Sequence, residues 1–128
     1  MATPELANTN LQQLVAAAAD LCRKPLSHAV LPLGDSQRCD DCCLRLEARQ
    51  ADGERYPVAD LELEIYRSGN DLNLTLAWCH DHQRPLLWQG SHPVWMEPES
   101  GLRCERPADG APLEALARRL RALLVQMD

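Results

Sequence analysis

Between Leu11 and Cys22 the apolar residues Leu11, Leu14, Val15, Ala18, Leu21 and Cys22 recur at intervals of three and four, the spacing of one helical face. Thr9 and Gln12 stand at capping-box distance, so a first helix is predicted over residues 10–24, preceded by a flexible leader over 1–8. Pro25 ends that helix, because proline cannot donate to the helical ladder and disfavours helical geometry in the residue before it. The next segment, 27–33, is apolar but contains Pro32 and runs into Gly34, which predicts a short edge strand and then a polar loop over 34–41.

From Cys42 the period changes to two. Leu44, Leu46 and Ala48 point one way while Cys43, Arg45, Glu47 and Arg49 point the other, the pattern of a half-buried strand. After the Asp52-Gly53 turn, Leu61, Leu63 and Ile65 alternate with Asp60, Glu62, Glu64 and Tyr66. After the turn at 68–71, Leu72, Leu74, Leu76 and Trp78 alternate with Asn73, Thr75, Ala77 and Cys79. These three strands form an antiparallel meander. Beyond Pro85 the alternation is irregular: 86–90 and 93–96 read as one bent strand or two short ones, with a return strand over 102–105 and an edge or a bend marked by Pro93 and Pro98. Pro112 then opens a second helix, on which Leu113, Leu116, Ala117, Leu120, Leu124 and Met127 share a face and Glu114 stands four residues before Arg118.

The expected fold is therefore α+β: a two-layer sandwich in which an antiparallel sheet, the three-strand meander plus irregular edge strands, is covered on one face by the N-terminal and C-terminal helices. The opposite face, with Arg45, Glu47 and Arg49 beside Asp60, Glu62 and Glu64, reads as a solvated array of opposite charges on neighbouring strands. A length of 128 residues fits a single domain over 1–128 with one core.

Charge narrows the partners. A formal net charge of -6 disfavours phosphate backbones and anionic membrane surfaces, so neither nucleic acid nor membrane is an expected partner. No apolar run reaches the roughly 18 to 20 residues that span a bilayer, and residues 1–10 lack a basic region followed by an apolar one, so the expected location is cytoplasmic. Six cysteines would suggest disulfides in an exported chain; here reduced thiols are expected.

Two groups of residues could carry chemistry. Cys39, Cys42 and Cys43 form a Cys-x-x-Cys with an extra thiol, and Cys79, His80, Asp81 and His82 follow later; thiolate and imidazole are zinc's preferred ligands. In a meander, however, Cys42 opens the first strand and Cys79 closes the third, which separates them by roughly 20 Å. A better zinc set adds Cys104 to Cys39, Cys42 and Cys43, provided the return strand starts near the same end of the sheet. No cofactor is otherwise implied, and inert thiols in or near the core are the common alternative. Redox use of the Cys-x-x-Cys lacks the helix N-terminus that favours thiolate and has Asp40 and Asp41 beside it. The run from Cys79 to His82 also holds the residue types of a small thiol enzyme, although neighbours on a strand point to opposite faces.

Trp88, His92 and Trp95 form the second group. They lie in the irregular segment, and tryptophan is the residue most enriched at binding hot spots. In size, acidity and a terminal amphipathic helix the chain resembles type III secretion chaperones, small acidic α+β dimers. Those proteins carry a helix in mid-sheet, where this chain has Pro85, Trp88 and Pro93. With no convergent catalytic set, the expected function is that of a small non-catalytic protein-binding or adaptor protein, its partner another protein or a second copy. Metal binding or redox response through the cysteines is the alternative.

Overall fold

The strands predicted by the alternation are joined in chain order into one sheet. The protein is described by a computed structural model over residues 4–126, of which residues 4–10, 36 and 37 are described by backbone only. Helix α1 (Pro4–Cys22) is followed by strands β1 (Ser27–Arg38) and β2 (Asp41–Arg49), a single 3-10 turn (Pro57–Ala59), then β3 (Leu61–Ser68), β4 (Asp71–Trp78), β5 (Leu86–Gln89), β6 (Pro93–Met96), β7 (Arg103–Cys104) and helix α2 (Ala111–Gln126). The sheet has seven strands in the order β1 to β7, each antiparallel to its neighbours. A meander of this kind needs only hairpins. Between β3 and β4, Gly69 (φ 64°) takes the positive φ that a two-residue hairpin turn requires at its first central position.

One sheet face and one stripe of each helix make the core. Leu44, Leu46, Leu61, Leu63, Ile65, Leu72, Leu74, Leu76 and Leu87 meet Leu11, Val15, Ala18 and Ala19 of α1 and Leu113, Leu116, Ala117, Leu120 and Leu124 of α2. Fully burying one such aliphatic side chain contributes about 1.5 to 3 kcal/mol, so this layer is the main stabilising term. Trp95 belongs to it too. Its ring stacks on Trp78 at 6.1 Å, and its indole N–H donates to Glu114 Oε2 at 2.6 Å, joining β6 to the first turn of α2. That bond gives the partly buried carboxylate a partner inside the protein.

The α+β sandwich with both helices on one face is as expected, and several boundaries differ. Helix α1 begins at Pro4, so Thr9 and Gln12 lie within it instead of capping it; of the leader expected over 1–8, residues 1–3 lie outside the described residues. Leu21 is 48% exposed, because the buried stripe follows Leu11, Val15, Ala18, Ala19 and Cys22, from which position 21 is rotated away. Most of the loop expected over 34–41 is instead strand: β1 continues to Arg38 through an irregularity between Leu33 and Gln37, where Gly34 takes φ 76°, and only Cys39 and Asp40 form a turn before β2. Pro32 is tolerated because β1 is an edge strand. Asp60 does not join the solvated array but is buried at 1% exposure. Met127 lies outside the described residues.

Candidate functional site

The sheet has a second face, and both helices pack away from it. Strand registers place its side chains in rows. Leu31, Arg45, Glu62 and Ala77 are successive cross-strand partners; the row continues one residue past the Leu76–Leu87 pair of β4 and β5 to Leu86, then to Met96 and Arg103. The next row runs Leu33, Cys43, Glu64, Thr75, Trp88 and Val94. Across β1 to β3 this face is mixed and charged. Across β5 and β6 it is apolar, with Leu86, Trp88, Val94 and Met96 adjacent and each partly exposed. Gly90 explains how the Trp88 ring lies: a Cβ at Gly90 would overlap the six-membered part of that ring.

Of the residues expected to meet a partner, the structure puts Trp88 on this open face, His92 exposed in the β5–β6 turn, and Trp95 in the core. Trp88 and Trp95 are on opposite faces because β6 pairs Val94, not Trp95, with Trp88.

The thiols are dispersed. Cys39, Cys42 and Cys43 cluster at the β1–β2 hairpin, whereas Cys104 is on β7, five strands from β2; at about 4.8 Å per strand that is roughly 24 Å. The condition on which the four-cysteine zinc set depended, a return strand beginning near the hairpin, is not met. Among the described residues no three His, Cys, Asp or Glu side chains converge as a metal site. Cys42 faces the core and its pKa is pushed up to about 12, by burial first and then by Cys39, Cys43, Asp41 and Asp40, so it stays a thiol at neutral pH. The Cys79 thiol is also raised, chiefly by burial. His80, its neighbour in sequence, places Nε2 3.5 Å from Asp60 Oδ2.

Two polar assemblies have no sequence spacing to announce them, since their members come from separate elements. In the first, Asp60 accepts from the Ala48 backbone N–H at 2.7 Å and from Arg55 at 3.0 and 2.8 Å, which ties the long β2–β3 connection to β2. Burial pushes its carboxyl up, but donation from Arg55 and Ala48, the charge of Arg55 and the contact with His80 outweigh that and hold it below the ordinary range. In the second, Arg23 donates to Ala59 O at 2.8 Å and to His28 Nε2 at 2.9 Å, while His28 Nδ1 lies 3.0 Å from Asp20 Oδ1. With Nε2 accepting, His28 is neutral and carries its proton on Nδ1, in keeping with a pKa lowered mainly by burial. Arg23, Lys24, Tyr56, Val58, Trp78 and Arg84 also line an open cleft of 390 Å³. Its guanidinium groups are already engaged, Arg23 as above and Arg84 over the Trp78 ring at 3.6 Å and against Asp109.

These contacts leave a helix-backed sheet whose second face is half apolar and partly exposed. Residues 12–123 match the family described as a domain of unknown function (DUF8659), and the chain belongs to that family. No curated protein and no solved structure matches it. No helix among the described residues is long and apolar enough to cross a membrane.

Proposed function

We propose that this protein is a non-catalytic protein-binding module, an adaptor, whose docking surface is the open sheet face around Trp88. The observation that carries this reading is the contiguity of Leu86, Trp88, Val94 and Met96 on a face from which both helices are turned away. Adjacent apolar groups left to water favour association, and a large aromatic at their centre is the usual anchor. The charged residues on the flank of the same face, Glu62 and Glu64, would supply a polar rim. A cytoplasmic setting suits six cysteines that are all free thiols.

The test is a photo-crosslinking side chain placed at Thr75 or Met96 on the open face, with a control at Val58 on the other side of the molecule. The expected result is one discrete protein adduct from the open-face positions, none from position 58, and loss of the adduct on Trp88→Glu. Equal labelling from all three positions, or adducts insensitive to Trp88→Glu, would remove the docking role of this face.

A further inference from the structure

One end of the core opens into the 390 Å³ cleft, where the end of α1, the 3-10 turn, the end of β4 and the start of α2 meet. A tight turn after α1 builds its charged wall: the Leu26 N–H donates back to Arg23 O, which brings Arg23, Lys24 and Leu26 to the cleft together. Arg23 is the unusual member. It is 8% exposed, and its two hydrogen bonds end on neutral acceptors, Ala59 O and the accepting Nε2 of neutral His28. Among the described residues no carboxylate lies within ion-pair distance of it. A guanidinium carries five N–H donors, and a buried cation without a counter-ion is costly. Burial pulls its pKa down to about 10 despite the charges of Asp60 and Asp109, and at neutral pH it is still a cation.

We infer that this cleft is a binding site for a small organic phosphate monoester, its phosphate held by Arg23, Lys24 and Arg84 and its carbon body laid against Tyr56, Val58 and Pro112. Charge is the first argument. The chain has a formal net charge of -6, yet the described residues lining the cleft set three cations against one carboxylate, Asp109, which pairs with Arg84 and is itself more than half exposed. That excess of two matches a phosphate monoester, which carries about -1.5 to -2 at neutral pH, and guanidinium groups suit phosphate oxygens in geometry as well as in charge. Lys24 is exposed and has no ion pair among the described residues, so its ammonium is free to close over a ligand. The first turn of α2 borders the cleft at Pro112 and Leu113, and a helix of 16 residues adds the positive end of its dipole there. Size and apolar cover are the second argument. A cleft of this volume is on the scale of small-ligand sites, about 300 to 1,000 Å³, and Tyr56 and Val58 stand exposed at its edge. A bound phosphate supplies the counter-ion that Arg23 lacks. The site is separate from the open sheet face, since helix ends and the 3-10 turn form its walls.

Titration calorimetry of the full chain with phenyl phosphate tests this, compared with inorganic phosphate, which lacks the ring, and benzoate, which has the ring but a single charge. The expected result is one phenyl phosphate per chain with a Kd at or below about 1 mM, about tenfold or more tighter than either comparison anion. Lys24→Glu, at an exposed position, weakens binding about tenfold or more. Arg38→Glu makes the same change of charge at the β1–β2 hairpin, toward the other end of the sheet from Trp78, and alters binding less than about threefold. Bound phenyl phosphate shifts the indole N–H resonance of Trp78, which lies under Arg84, and leaves that of Trp88 in place. Arg23→Gln abolishes binding; because it also removes a bond to Ala59 O, the Lys24 and Arg38 reversals decide the matter if that variant does not fold. No binding at about 10 mM overturns the inference. So does binding no tighter than that of either comparison anion, an equal loss in the two charge reversals, or a shift at Trp88 without one at Trp78.

Discussion

Asp60 offers the sharpest check on the physical reading of the fold. Its carboxylate is 1% exposed and satisfies the Ala48 backbone N–H while receiving two bonds from Arg55. In Asp60→Ala the Ala48 N–H is left buried without an acceptor, and an unsatisfied buried donor alone costs about 1 to 3 kcal/mol. Loss of the Arg55 tether adds to this, so the expected loss is about 2 kcal/mol or more in urea unfolding. Asp60→Asn keeps the shape and one acceptor for Ala48, and should lose less. The charge predicts a pH dependence as well. Because the folded pKa lies below the unfolded one, near 3.9, the contribution is fully present above that value and is lost as pH falls through the folded pKa. The stability gap between parent and Asp60→Asn should therefore be constant at neutral pH and close in the acid range. An Asp60→Ala loss below about 0.5 kcal/mol, or a gap independent of pH, would refute the argument that this carboxylate is a buried, charged anchor.

Other outcomes follow from burial and close contact. Leu76→Ala and Leu120→Ala, both at 0% exposure, should each cost about 2 to 5 kcal/mol in the same unfolding assay. Glu62→Ala, on an exposed position, should cost well under about 1 kcal/mol of folding stability. Cys42 should resist alkylation at neutral pH until the chain unfolds; labelling as fast as that of Cys43, read by peptide mass spectrometry, would show that its thiol is neither buried nor raised. Gly90→Ala should displace the Trp88 ring, seen as a shifted Trp88 indole N–H resonance while those of Trp78 and Trp95 stay in place; an unmoved resonance would mean that the ring does not lie over Gly90.

The core meander was legible because β2, β3 and β4 each bury one face only, so period two appears cleanly in Leu44 to Ala48, Leu61 to Ile65 and Leu72 to Trp78. The full length of the edge strand β1 is hidden in the sequence because Pro32 and Gly34 are punctuation there, whereas an edge tolerates the one and an irregular register uses the other. The helix start was misplaced because a capping-box spacing is a short and weak pattern. Among site residues, alternation separated Trp95 from Val94 and Met96, but not which side was the core; that depends on β5 and β6 pairing so that Leu87 faces Trp95. The Cys104 set failed for a related reason, since a zinc ligand set needs the complete strand order, and two residues of β7 carry too little pattern to place it. The Asp60 and Arg23 assemblies left no trace, because hydrogen bonds from separate elements have no period.

The segment after Pro85 looked irregular for a reason that bears on function. A strand with one wet face alternates; a strand with two apolar faces does not. Leu86, Leu87 and Trp88 run together because Leu87 is in the core while its neighbours stand on the open side, and Val94, Trp95 and Met96 repeat the arrangement. In the row through Leu86 the charged outer positions of β2 and β3 give way to apolar ones from Ala77 on β4 to Met96 on β6 before charge returns at Arg103 on β7, so loss of alternation along the chain and the apolar patch on the sheet are one feature seen in two ways. In a central strand buried between helices this pattern would need no partner. Here both helices occupy the other face, so the apolar side chains of β5 and β6 stay partly exposed, which is the feature the proposed docking role rests on.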